Sequence, residues 1–185
     1  QTRRNITSEH FVIAVGTYPT KPDNLNIDTD LLFLSDDILN LPSVPKTLSV
    51  IGGGPIGLEY ASIFATLGVR VTLIDKSDSL LKFMDSEIID SLKYEIRKKR
   101  ITLRLNEQVS DIQKFKDTHE YKIKIILSSG KQIISDKALY TVERSGNIRN
   151  LKLENTGVLS NERGQIKVDS NYKSNIPNIY AAGDV

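Results

Sequence analysis

The sequence predicts an α/β fold, a Rossmann-like βαβ parallel sheet with an antiparallel β-meander, on three observations. From Leu48 to Asp75 the chain reads as strand, glycine-rich turn, helix and strand. Further on, Tyr121, Ile123 and Ile125 alternate with Lys122 and Lys124, the turn Ser128–Lys131 reverses the chain, and Ile133 and Ile134 return without an intervening helix. The run Ala138–Val142, ALYTV, then has the continuous apolar character of a strand buried on both faces, as in a parallel sheet.

The first of these stretches carries the chemistry. Leu48, Val50 and Ile51 form a short apolar strand that enters Gly52, Gly54 and Gly57, the spacing G-x-G-x-x-G where a helix opens. Gly52 suits the tight turn, Gly54 lets a pyrophosphate approach the backbone because no Cβ intervenes, and Gly57 lets the helix lie close on the strand. Pro55 fits the first helical turn, where a missing N–H costs nothing. Ile56, Tyr60, Ile63, Phe64 and Leu67 recur at three- and four-residue steps, and Gly68 supplies the left-handed residue that ends a helix. Val69, Val71, Leu73 and Ile74 form the second strand, and Asp75 stands at its end, where a carboxylate accepts hydrogen bonds from both hydroxyls of an adenosine ribose. Strand, turn, helix, strand and acid together point to a dinucleotide.

The other elements follow from local patterns. Phe11–Val15, FVIAV, reads as a buried strand entering Gly16, and Pro19 and Pro22 stop regular structure before a linker. Ser35 and Asp36 are placed to cap a short helix through Asp37, Ile38 and Leu39, and Pro42 and Pro45 break the chain again. This proline-bounded segment reads equally as a hinge or as a surface loop. After Asp75, Leu80 and Leu81 turn inward, and Asp85 or Ser86 caps a helix with Ile88, Ile89, Leu92 and Ile96 on one face. The cations Arg97, Lys98, Lys99 and Arg100 complement the dipole at its end. Ile101, Leu103 and Leu105 alternate with Thr102 and Arg104 as a strand, and Val109 and Ile112 lead into the meander. Two short strands, GQIKV and NIYAA, precede the final Gly183 and Asp184.

Composition excludes several classes. Lys and Arg number 25 against 23 Asp and Glu, a net charge of +2, which is too weak a field to suggest nucleic acid or an anionic membrane as partner. No apolar run approaches the roughly 20 residues of a membrane span, and the polar start QTRRNITSEH does not read as a signal peptide, so a cytoplasmic location is expected. With no cysteine, this stretch forms neither a disulfide nor a thiolate metal site. His10 and His119 stand far apart in polar contexts and read as solvated surface residues, so neither a metal ligand nor a catalytic residue is nominated. The chain starts without a methionine and stops at Val185, as a piece of a longer protein would.

FVIAVG near the start, IGGGPIG in the middle and IYAAGDV at the end resemble the pyridine nucleotide-disulfide oxidoreductase class of flavoproteins, over essentially the whole chain. Within that class, EYASIF (Glu59–Phe64), SGN (Ser145–Asn147) and RGQIKVDSNYKS (Arg163–Ser174) are most similar to the soluble pyridine nucleotide transhydrogenases. The resemblance implies the FAD/NAD(P)-binding type of domain arrangement, with residues 1–16 and 145–185 in an FAD domain and residues 17–144 forming an NAD(P)-binding domain inserted into it. It also implies NAD(H) and NADP(H) as ligands, FAD in the full-length protein, and hydride passing from NADPH to the flavin and on to NAD⁺. The missing FAD and dimerisation parts of the same chain would be its partners, in a homo-oligomer.

Site roles carry over residue by residue. Gly52, Gly54, Pro55, Ile56 and Gly57 match the pyrophosphate turn, Asp75 the ribose acid, and Lys76 stands beside it where a ribose phosphate would lie. Glu59 matches a glutamate near the nicotinamide, Val109 a position beside the adenine, and Gly16 a turn near the domain junction. Asp184, next to Gly183, matches the aspartate that hydrogen-bonds the flavin ribityl chain. The chain departs from the class at Thr141–Arg144, TVER, where Ala, any residue, Gly, Arg is usual: Glu143 replaces the glycine. Two other readings stand beside the transhydrogenase. One is dihydrolipoamide dehydrogenase or a related disulfide reductase, marked by a cysteine pair upstream of Gln1; the other is a non-catalytic nucleotide-binding module, motivated by Glu143.

Overall fold

The structure is a computed structural model describing residues 4–21, 30–118 and 120–185. It comprises two compact units, Gln1–Thr20 with Arg144–Val185, and Lys21–Glu143. In chain order the elements are β1 (Phe11–Ile13), β2 (Thr17–Pro19), β3 (Leu32–Leu34), β4 (Thr47–Ile51), α1 (Pro55–Thr66), β5 (Arg70–Ile74) and α2 (Ser86–Lys98). There follow β6 (Thr102–Arg104), β7 (Val109–Asp117), β8 (Glu120–Leu127), β9 (Gln132–Ser135), β10 (Lys137–Tyr140), β11 (Arg144–Gly146) and β12 (Ile179–Ala181).

The unit Lys21–Glu143 is built on a five-stranded parallel sheet in the order β3-β10-β4-β5-β6. Successive strand residues point to opposite faces, so a sheet covered on both sides reads as an unbroken apolar run. Leu48, Val50, Val71, Leu73 and Leu139 face one layer, with Ala61 and Phe64 of α1 and Ile89 and Ile96 of α2. Their neighbours Ile51, Ile74, Ala138 and Tyr140 face the other, against Ile112, Ile123, Ile125 and Leu127 of the meander β7-β8-β9. The predicted α/β class, with both its parallel and antiparallel parts, is what the chain forms.

Several local expectations need correction. Leu32–Leu34 lies in the stretch read as linker, yet it is an edge strand beside β10. Regular structure stops at Pro19 as read, although Pro19 is itself the last residue of a short strand, β2, opposite Arg144 of β11. Residues Val109–Asp117 form a nine-residue strand instead of a lead-in, and GQIKV contributes only one isolated bridge, Ile166 to Ser160. The helix read near Ser35 is one 3-10 turn, Ile38–Asn40; Asp37 at its cap position makes no capping bond, and Ser35 donates to Asp36 Oδ1 at 3.1 Å. Asp85, not Ser86, caps α2, accepting from Glu87 N at 2.9 Å.

Helix faces also differ from the apolar stripes. In α1 the buried residues are Gly57, Ala61 and Phe64, whereas Ile63 and Leu67 are 52% and 59% exposed. Small side chains at Gly57 and Ala61 let the helix sit closer to the sheet than a stripe of isoleucines would permit. In α2, Ile89 and Ile96 are buried and Ile88 is exposed; in β8 the dry face begins at Ile123, leaving Tyr121 exposed.

In the other unit β1 pairs in parallel with β12 and β2 antiparallel with β11. Leu153, Val158, Ile166, Ala181 and Val185 form its small core. The strand read as buried is not: Phe11 and Val12 are exposed, because β12 is its one partner among the described residues and the sheet has two strands. His10 is exposed, its ring edge-on to Tyr180; His119 and Pro22 lie outside the described residues. Among the described residues no helix is long and apolar enough to cross a membrane.

Candidate functional site

The glycine-rich turn lies at the C-terminal ends of β4, β5 and β10, where open parallel sheets bind ligands. Gly52 has φ +111°, a conformation that side chains rarely adopt, and its amide donates to Ile74 O at 2.8 Å. Gly57 is packed so closely that a Cβ there would lie 1.9 Å from Gly52 O. Gly54, by contrast, has open space where a Cβ would be. Two of the glycines are thus required by the protein's own packing, and Gly54 is not.

Gly54 is also the N-cap of α1, with no capping side chain, and Pro55 follows at the first helical position. The first backbone bond at this end runs from Leu58 N to Gly54 O at 3.0 Å. A helix end of this kind presents amide donors and the positive end of the dipole to an anion. Ile56 is half-buried and Glu59 exposed on the same helix.

Asp75 is held from two sides. Its Oδ2 accepts from Gly53 N in a short bond, and its Oδ1 accepts from Ser77 N at 2.7 Å. A carboxylate offers about four lone-pair sites, so acceptor capacity remains beyond these two bonds. Gly53 itself is closely packed: a Cβ there would lie 2.8 Å from Leu80 Cδ2 and 3.0 Å from Asp75 Oδ2. Lys76 is exposed beside it.

Thr141, just past β10, completes the turn from the neighbouring strand. Its amide donates to Ile51 O at 2.8 Å, and its hydroxyl lies 3.0 Å from Ile51 O and 3.1 Å from Gly52 O. Glu143 is exposed two residues later, and its charge adds to burial in raising the Tyr140 phenol above its ordinary pKa, burial being the larger cause. Val109 is half-buried at the start of β7 and packs with the meander-side core.

The structure therefore brings Gly52, Gly54, Gly57 and Asp75 to one end of one sheet, together with Gly53, Ser77 and Thr141, to which sequence reasoning assigned no site role. Gly16 (φ +66°), Gly183 (φ +82°) and Asp184 belong to the other unit, where Asn147 N donates to Gly16 O at 2.9 Å. Both Gly183 and Asp184 are exposed there. Glu107 is a further buried carboxylate that no motif marks. Lys131, then Ser129, holds its pKa below the usual carboxylate range. Its ionised form thus stabilises the fold at neutral pH, and that contribution is lost as pH falls through the lowered pKa.

The family model for pyridine nucleotide-disulphide oxidoreductases matches residues 1–185. The soluble pyridine nucleotide transhydrogenase of Pseudomonas aeruginosa (strain LESB58) is 43% identical over 180 residues, covering 97% of this chain and 38% of that protein. The transhydrogenase of Marinobacter nauticus is 42% identical over 185 residues, covering 98% of this chain and 39% of that protein. Among solved structures, the HOCl-induced flavoprotein disulfide reductase RclA from Escherichia coli superposes with a TM-score of 0.87 at 30% identity, covering 97% of this chain and 40% of that one. The chain thus spans about two fifths of the length of these relatives. Matched by the family model along its whole length, the chain belongs to the pyridine nucleotide-disulphide oxidoreductase family.

Proposed function

We propose that the unit Lys21–Glu143 binds a nicotinamide dinucleotide across the glycine-rich turn, within a flavoprotein that passes hydride from NADPH through FAD to NAD⁺. The observation that carries the binding site is the contrast at the turn: Gly57 is filled by the protein's own backbone, while Gly54 leaves an open approach to the start of α1. The transhydrogenase reading is supported by relatives of that name at 42–43% identity. In this reading residues 1–16 and 145–185 are FAD-domain segments, with Gly16, Gly183 and Asp184 on the flavin side.

FAD fits the donor set in one respect: the Asp184 carboxylate is exposed and available to accept from a hydroxyl. When bound, the flavin supplies the two-electron relay. The chain's own residues do the rest. The α1 amides, beside Ile56, hold the pyrophosphate, Asp75 orients the adenosine ribose, and Glu59, one turn into α1, lies toward the nicotinamide half. Calorimetry on this chain should give NADH about tenfold tighter than NADPH, or 1.4 kcal/mol, because Asp75 repels a 2′-phosphate that the exposed Lys76 only partly neutralises. If NADPH is the tighter ligand, the ribose assignment fails; hydride transfer is then assayed on the flavin-loaded full-length protein.

A disulfide reductase is the second reading, favoured by the likeness to RclA. A redox cysteine pair would decide it, and these 185 residues contain no cysteine. The non-catalytic module rests on Glu143. Because Glu143 is exposed, Glu143→Gly and Glu143→Gln should change NADH affinity by only a few tenths of a kcal/mol, the scale of solvated charges. A tenfold gain in Glu143→Gly at low salt would mean that the glutamate obstructs the crevice, and would favour that module.

A further inference from the structure

We propose that Glu107 is a positioning residue for the adenosine half of the dinucleotide, tying the β8–β9 turn to the β6–β7 connection that leads into Val109. The proposal rests on the dinucleotide reading above and adds a residue which that reading does not use. Glu107 is 8% exposed, a depth at which an acidic side chain is rare unless paired. Both of its carboxylate oxygens are engaged: Oε1 by Lys131 Nζ and Oε2 by Ser129 Oγ, each at 2.7 Å. The turn Ser128–Lys131, which sequence alone marks only as a reversal, thus aims two side chains at one carboxylate.

The backbone around Glu107 is tied in the same way. Asn106 N donates to Ser77 O at 2.8 Å, Glu107 N to Asp75 O at 3.0 Å, and Ser128 N to Gln108 O at 2.8 Å. Three consecutive residues therefore bond outward, two to the loop that carries Asp75 and one to the β8–β9 turn, immediately before Val109. A sharp bend with Asn106 at φ +56° sets this path. With each oxygen of Glu107 held by the β8–β9 turn, the role assigned to it runs through the segment that it holds. Charge-assisted hydrogen bonds are stronger than neutral ones, and here the carboxylate end is buried while Lys131 reaches it from the surface, so the clamp fixes the spacing between the Asp75 loop and Val109.

The test is calorimetry of NADH and of AMP, the adenosine half alone, on this chain and on Glu107→Ala, Glu107→Gln and Lys131→Met, well below the unfolding midpoint of each. Glu107→Ala should weaken both ligands by about tenfold, within the range for a residue that affects a site without touching the ligand, because the tie between the Asp75 loop and the segment leading into Val109 is loosened. Glu107→Gln, which keeps the shape and one acceptor, should recover part of that loss. Adding Lys131→Met to Glu107→Ala should cost little more, as for two members of one interaction. A purely structural Glu107 would lower the unfolding midpoint and leave both affinities within about twofold, and that result overturns the proposal. Should Glu107→Ala fail to fold, Lys131→Met decides in its place, because its target side chain is largely exposed. If the unmodified chain binds neither ligand, the dinucleotide reading falls and the proposal with it; binding by the unmodified chain with unchanged variants overturns the proposal alone.

Discussion

Gly57→Ala should destabilise the chain by about 2 kcal/mol and abolish most dinucleotide affinity, whereas Gly54→Ala should spare the fold and lose the ligand. At Gly57 the added Cβ would fall 1.9 Å from Gly52 O, a backbone atom that moves only if the helix moves. Overpacking costs about 1–3 kcal/mol, here at the upper end, and the better helix propensity of alanine returns about 1 kcal/mol of it. Lifting α1 from β4 would also carry its first-turn amides away from the pyrophosphate. Gly54 has φ −72° and nothing within 4 Å of a Cβ, so alanine fits the free chain with a change of about 0.5 kcal/mol or less. It would nevertheless occupy the approach to the backbone, and NADH affinity should fall at least about tenfold. Urea unfolding and calorimetry separate the two effects. Equal midpoints for Gly57→Ala and the unmodified chain would refute the packing argument, and undiminished NADH binding by Gly54→Ala would refute the site.

Asp75→Ala is expected to act on the fold and the ligand together. Its carboxylate accepts from Gly53 N and Ser77 N, and removing it leaves both part-buried amides without that acceptor, a loss of about 1–3 kcal/mol. NADH should bind at least about tenfold more weakly, since a charged acceptor at the ribose is gone. NADPH should lose less, because repulsion of its 2′-phosphate disappears too, so the preference for NADH narrows. Asp75→Asn separates the contributions: it retains one carbonyl acceptor but places an NH₂ where an acceptor is needed, and should fall between alanine and the unmodified chain. An NADH:NADPH ratio unchanged in Asp75→Ala would show that the acid does not meet the ribose.

The stretch Leu48–Asp75 was legible without coordinates because everything in it is local. The glycine spacing, the proline at the first helical position, the left-handed Gly68 and the acid at the strand end are each set within a few residues. The α2 cap and the lysine-alternating strand β8 were readable for the same reason. Burial was less so. Periodicity nominated Ile63, Leu67 and Ile88, but all three are exposed, because the buried side of a helix is chosen by what packs against it; at α1 that choice follows from the contact of Gly57 with the turn.

Tertiary structure alone decided the rest. β10 inserts between β3 and β4, which precede it by roughly a hundred residues, and this insertion brings Thr141 onto Gly52. No local pattern encodes so distant a pairing, since strand order depends on the crossover path. Glu107 is the same case: by itself it is one acid before a strand, and only the returning hairpin supplies Ser129 and Lys131 to hold it. The sequence by itself determined the βαβ unit and the residue types of its ligand-facing turn, through backbone sterics and short-range spacing. Which polar groups support that turn was decided by elements that meet only after the sheet has formed, because a buried charge is stable only where partners from other segments converge on it.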